Sequence, residues 1–199
     1  MTIQSRPPQL STVASPILEV ATKETEERPA TADDCLRAYQ RELDFLIGSL
    51  RRLGASYPDI EDMLHEVFLV MFARWNDYDT ARPLRPWLFG IAFRVAAAQR
   101  RKGAREVPTE SQDAQDQGAL PDDHLAAGRN RELLLQALTH VPIERRAVLI
   151  MHEVDETPMR DIAHHLGIPL FTAYSRLRKA RQELDAALVR LEKGPRRVR

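Results

Sequence analysis

The chain has 199 residues, with 29 basic against 29 acidic, 43% hydrophobic and 6% aromatic. A single cysteine, Cys35, excludes an intrachain disulfide framework and a cysteine-based zinc cage. No stretch approaches the ~20 apolar residues of a membrane span, and the N-terminal segment lacks a basic run leading into an apolar one, so a cytoplasmic protein with no direct membrane insertion is expected.

Residues 1–30 are rich in Pro, Ser, Thr and Glu and read as a disordered tail. The spacing of Leu36, Tyr39, Leu43, Leu46, Ile47, Leu50 and Leu53 predicts one helix, ended by Gly54. A second is predicted with Pro58 in its first turn and Asp59, Glu61 and Asp62 at its positive end. Its apolar stripe is Met63, Leu64, Val67, Phe68, Met71 and Trp75. Residues 76–86 read as a loop. A third helix is expected from Arg85–Trp87, burying Trp87, Leu88, Ile91, Val95 and Ala98 and capped by Gly103. The stretch 104–129 is acidic and poor in large apolar residues, and reads as a linker. Beyond it, Leu133, Leu134, Ala137 and Leu138 begin a second block. A segment with Ala147, Val148, Ile150, Met151 and Val154 follows Pro142. No useful run alternates with period two. The expected fold is all-α: two small helical domains, 31–103 and 130–193, joined by a flexible acidic linker, with a basic tail at 194–199.

Electrical neutrality hides opposed blocks. From Arg94 to Arg105 there are five basic residues and no acids; from Glu106 to Asp123, six acids and no bases; from Tyr174 to Arg199, nine bases and three acids. Two basic surfaces parted by an acidic strip suggest two contacts with a polyanion.

Residues 157–191 carry the most informative pattern. Thr157-Pro158 reads as a helix start, Thr as cap and Pro at the first helical position. Ile162, Ala163 and Leu166 form one face, and Gly167 permits a left-handed turn. The next helix buries Ala173, Leu177, Ala180, Leu184 and Leu188. This is the sequence shape of a helix-turn-helix. The opposite face holds Phe171, Tyr174, Ser175, Arg178 and Gln182, with Thr172 beside them. Tyr174, Ser175 and Arg178 are placed for base edges; Arg176, Lys179 and Arg181 for phosphates.

Six segments together resemble a known family. Residues 59–68 (Asp-Ile-Glu-Asp-Met-Leu-His-Glu-Val-Phe), then Trp87-Leu-Phe-Gly-Ile-Ala92, then Arg100-Arg101-Lys102, are similar to the promoter-melting domain of bacterial sigma factors. Leu138–Leu149, Asp161–Pro169 and Ser175–Arg181 look like their C-terminal DNA-binding domain. The order and length resemble the extracytoplasmic-function class. The resemblance implies a protein that binds core RNA polymerase, recognises two elements of promoter DNA and opens it. It implies polymerase docking by Glu61, Asp62, His65, Glu66 and Phe68. It implies a hold on the upstream bubble strand through Trp75, Tyr78, Arg82, Arg85, Phe89, Arg94, Arg100 and Arg101, by stacking and backbone charge. It also implies control by an anti-sigma factor. Promoter sites two helical turns apart lie ~70 Å from each other. A coil of the linker's length averages only ~30 Å but reaches ~90 Å when extended. In the family the linker threads the polymerase RNA channel, which suits its negative charge.

Phe93-Arg94 stands where the family usually has Arg-Asn, and Phe171-Thr-Ala-Tyr174 where it often has Gly-Thr-Val-Lys. These departures bear on which promoter is read. The alternative reading is a helix-turn-helix regulator acting without core polymerase, which leaves 59–102 without a task. A protein that only sequesters a partner leaves the basic helix unexplained. No Gly-rich phosphate loop, nucleophile–base pattern or metal-ligand spacing appears, so neither an enzyme, a cofactor nor a metal is expected.

Overall fold

A computed structural model describes residues 31–106 and 125–193; the tail 1–30, residues 107–124 and the tail 194–199 lie outside the described residues. Eight α-helices are described: α1 Ala32–Arg41, α2 Leu43–Leu53, α3 Ile60–Ala73, α4 Leu84–Glu106, α5 Leu125–Thr139, α6 Ile143–Glu153, α7 Met159–Leu166 and α8 Leu170–Glu192. A 3-10 turn, Trp75–Asp77, follows α3.

A reciprocal capping box starts α1. Thr31 Oγ1 accepts from the Asp34 amide and Asp34 Oδ2 accepts from the Thr31 amide. The Thr31 hydroxyl, then Arg37, hold the Asp34 carboxyl well below the usual carboxylate range. The box therefore contributes fully above the ordinary carboxylate pKa and is lost only as the pH falls through Asp34's lower value. Thr31→Ala is expected to cost about 1 kcal/mol of local stability, read as faster amide exchange along α1 at neutral pH; unchanged exchange would refute this.

The helix expected over Leu36–Leu53 is broken at Glu42, which sits at φ −103°, ψ 9°. The break lets α1 turn Cys35 and Ala38 onto α3 while α2 sends Leu46, Leu50 and Leu53 toward α3 and α4. Arg85 on α4 fixes the joint through a 2.8 Å bond to Glu42. Gly54 ends α2 in the left-handed region at φ 95°. Pro58 lies in the turn before α3, not inside it, because the Ser56–Asp59 turn occupies that stretch. Ile60, Met63, Val67 and Met71, three and four residues apart, are α3's buried stripe.

Helix α4 runs through Gly103, where a cap was expected, and α5 starts before residue 130. An interior glycine costs only about 1 kcal/mol, and Ala104, Arg105 and Glu106 are all compatible with a helix. The helix-turn-helix is formed by α7 and α8, with Gly167 at φ 67° between them. Thr157 is not the cap. It is buried, its amide donates to Met151 O, and Pro158 takes the N-cap position in extended geometry.

The two units do not stand apart. Their buried residues form one continuous core from Cys35 to Ala180. Helices α2 and α4 of the first unit (31–106) pack on α5, α6 and α7 of the second (125–193). At the centre lies Arg146, 0% exposed. Its Nε and Nη2 donate to Val141 O, Nη2 also to Thr139 O, and Nη1 to Leu53 O across the boundary at 2.6 Å. Three carbonyls satisfy this cation. Burial pulls its pKa down to about 10, so it stays charged at neutral pH.

Candidate polymerase and nucleic-acid interfaces

The outer face of α3 carries Glu61, Asp62, His65 and Glu66, all exposed. Helical spacing extends that face to Leu69 and Phe72, which are 52% and 50% exposed. Phe68, expected on this face, turns inward. Its ring meets Tyr39 at 4.9 Å, and the Tyr39 hydroxyl donates to Leu64 O. The result is an acidic patch merging into bare apolar surface. Leu69 and Phe72 were missed because the sequence reading followed Phe68 into the acidic run; stepping four from His65 or three from Glu66 finds Leu69, and three more finds Phe72.

The segment between α3 and α4 is organised by aromatic packing. Trp75 is 7% exposed and stacks on Tyr78, with ring centroids 5.4 Å apart. Tyr78 in turn meets Trp87 at 5.0 Å and donates to Arg82 O. Two expected stacking residues are thereby corrected. Phe89 is 0% exposed in the core and offers no face to a base. Trp75 is buried in its aromatic cluster and supports the loop from beneath. The expected cations divide similarly. Arg82 pairs with Asp79 at 3.3 Å, and Arg85 binds Glu42 and lies over the Phe45 ring. Arg94 donates to Gly90 O and His165 O. Arg100 and Arg101 stand exposed near the end of α4.

On α8, Ala173, Leu177 and Ala180 are buried, so the opposite face points outward by helical geometry. Phe171 is 83% and Tyr174 55% exposed. Arg178 and Lys179 are exposed; Thr172, Ser175 and Arg176 are half-buried. A cleft between the starts of α6 and α8 gathers Arg145, Ser175, Arg176 and Lys179. Arg145 is drawn to Glu183 at 2.9 Å. Arg181 departs from the expected phosphate role. Its guanidinium grips Glu153 Oε1 at 2.8 and 2.5 Å, tying α8 to α6 and holding that carboxylate below its ordinary range. In α7, burial and then His164 push the His165 pKa down.

No described helix is long and apolar enough to cross a membrane. Together, the fold and these surfaces define an all-helical protein of two units, one with an acidic-apolar outer helix face and one with the helix-turn-helix architecture of DNA-binding proteins.

Residues 38–106 match the Sigma-70 region 2 family and residues 131–184 the Sigma-70, region 4 family. The ECF RNA polymerase sigma factor SigL of Mycobacterium tuberculosis is 31% identical over 143 residues, 70% of this chain and 80% of the relative. SigW of Bacillus subtilis is 24% identical over 149 residues, 69% of this chain and 79% of the relative. Among solved structures, the sigma factor RpoE from Bartonella quintana, in complex with the anti-sigma factor NepR, superposes with a TM-score of 0.59 at 21% identity. That match covers 77% of this chain and 98% of the other. CnrH in complex with the cytosolic domain of CnrY gives 0.55 at 20% identity, covering 80% and 90%. The chain belongs to the ECF RNA polymerase sigma factors. It is a transcription initiation factor that works with RNA polymerase.

Proposed function

We propose that the chain docks on core polymerase through the outer face of α3, holds the melted upstream strand with the 78–83 loop and α4, which begins at Leu84 rather than after an expected loop to 86, and reads a second promoter element with α8. The observation that carries this reading is the pairing of two unlike surfaces in one chain. On α3, an acidic face with bare Leu69 and Phe72 suits a basic protein partner. On α8, bare Phe171 and Tyr174 stand beside the exposed cations Arg178 and Lys179, which suits a polyanion that also offers base edges.

Within α8, Arg178 has the donors for a guanine edge, and Phe171 the apolar surface for a thymine methyl. Lys179 and Arg176 supply backbone charge. In the first unit Arg100 and Arg101 are exposed cations near the end of α4, and Tyr78 is a half-buried ring in the segment before it. An anti-sigma factor is the proposed regulator, and the cytoplasm the proposed location. Relatives solved with NepR and CnrY support the first; the family's partnership with polymerase supports the second.

The test is reconstitution with bacterial core polymerase and genomic DNA fragments, followed by mapping of transcript starts. Discrete new starts sharing two upstream elements are expected. Specific duplex binding by the protein alone, with no core binding and no starts, would replace this reading with the core-independent regulator. On a mapped promoter, Arg178→Ala is expected to cost about 1–3 kcal/mol of discrimination at one base position. Lys179→Ala should weaken all sequences alike and lower the salt slope by about one. A uniform loss for Arg178→Ala would show that it contacts phosphate.

A further inference from the structure

Alongside α1 lies a groove to which the proposed function assigns no ligand. Arg37 and Ala38, four and three residues before Arg41, share one wall with it. Trp75, Tyr78 and Leu84 form the other, and the space between measures about 670 Å³. Two polar groups here are unspent. Trp75 is only 7% exposed, and its buried Nε1–H donates to nothing among the described residues. Such an orphan is costly and is satisfied in most folds. Arg41 is exposed and makes no ion pair among the described residues, whereas Arg37 is already held by Asp34 at 2.7 Å.

The walls select the occupant. Ala38, Leu84 and the Trp75 and Tyr78 rings make the lining mostly apolar. One unpaired cation beside the acid Asp34 is a poor seat for a phosphate backbone, which is held by several cations. It suits an extended peptide with aliphatic side chains and a nearby carboxylate. The chain carries one within reach. Ile17, Leu18 and Val20 are the densest apolar cluster of residues 1–30, and residues 19–27 hold four acids against one base. This segment joins α1 at Thr31, the N-cap of the helix that forms the groove wall. Eleven residues separate Val20 from Thr31, a reach of up to ~36 Å when extended. Helix α1, ten residues long, is ~15 Å in length, so the segment can double back along it with residues to spare.

We propose that the groove between α1 and the 75–84 segment is the seat of residues 17–27 of the same chain. Ile17, Leu18 and Val20 pack on Trp75, Tyr78 and Leu84, a backbone carbonyl accepts from Trp75 Nε1, and an acid among Glu24, Glu26 and Glu27 pairs with Arg41. Seated there, the segment braces the connection that leads into α4. The proposal stands independently of the sigma factor reading.

Photo-crosslinking of the full chain tests it. Benzoylphenylalanine replaces Thr80, an exposed residue that lines the groove, or, as a control, Leu36, which is exposed on α1 and lines no part of it. Leu36 stands close to Thr31 in the chain, so a tail without a seat meets it at least as often as Thr80. After illumination in dilute solution without polymerase or DNA, tryptic mapping should link the peptide ending at Lys23 to position 80 at least about fivefold more than to position 36, a ratio that mere local concentration does not produce. Arg41→Glu should lower the link about threefold, and adding Glu24→Lys, Glu26→Lys and Glu27→Lys should restore it. Ile17→Ser, Leu18→Ser and Val20→Ser together should abolish the link and speed amide exchange over 75–84, with an unchanged helical circular dichroism spectrum. Equal links from positions 80 and 36, or links indifferent to both sets of substitutions, would overturn the seat. Links joining isotopically distinct chains in a mixture would replace it with a contact between copies. Absence of the tail link, with strong linking of added oligothymidine to position 80, would assign the groove to single-stranded DNA instead.

Discussion

Arg146→Ala is expected to lower the unfolding free energy by about 3–5 kcal/mol, the sum of buried carbonyls left without donors and a cavity of arginine size. Val141 O loses two donor contacts, and Thr139 O and Leu53 O one each. Arg146→Met refills much of the volume and restores no hydrogen bond, so its loss should be smaller. Urea denaturation followed by circular dichroism gives both values. If the alanine variant lost less than about 1 kcal/mol, the guanidinium would be replaceable by solvent and its hydrogen bonds of little net worth. Lysine is a poor substitute, since its single ammonium cannot present the planar fork that reaches three separate carbonyls.

The second large effect concerns polymerase binding. Leu69→Ala with Phe72→Ala should weaken affinity for core polymerase by about 2–4 kcal/mol, roughly 30-fold to 1,000-fold, the range of central apolar anchors in protein interfaces. Both residues are about half exposed, so the melting temperature should barely move. Phe68→Ala should behave in the opposite way. Its ring is packed between Tyr39 and Phe72, so its removal should cost about 1–3 kcal/mol of stability, with a smaller effect on binding measured below the melting transition. Titration of labelled core polymerase with each variant separates the two. Equal affinity for the Leu69/Phe72 double variant would remove the outer face of α3 from the docking surface.

Helix periodicity made most of the architecture legible. Met63, Val67 and Met71, or Ala173, Leu177 and Ala180, repeat at three and four because a helix buries one stripe, and the structure buries those residues. Gly54 and Gly167 were equally readable, since each ends a helix in a conformation that other residues resist. Errors arose where local signals competed with tertiary ones. Thr157 resembles a cap in isolation but is drawn into the core, and Gly103 resembles a stop but is carried through by its helical neighbours. Phe89 looked available for stacking because an aromatic side chain suits both a base and a core. Arg145 and Arg146 are adjacent and chemically identical in sequence. Only the fold shows that one pairs with Glu183 at the surface while the other is sealed at the centre. The contact between the units was illegible for the same reason. It rests on backbone carbonyls, which every residue possesses.

The helix ends also set the mechanics of the connection. Helix α4 reaches Glu106 and α5 begins at Leu125, so eighteen residues join them. Fully stretched, that tether spans only ~65 Å. That is less than the ~70 Å between promoter elements two helical turns apart, so the breadth of the units must make up the rest, and the preferred spacing of those elements should follow the tether's length. In the opposite direction, a short tether holds the units at an effective concentration of about 1 mM. A contact with a Kd near ~0.1 mM between separate pieces would then be made in about nine molecules of ten. The contact between the units therefore need not be strong to be populated, because the tether supplies the second unit at high local concentration.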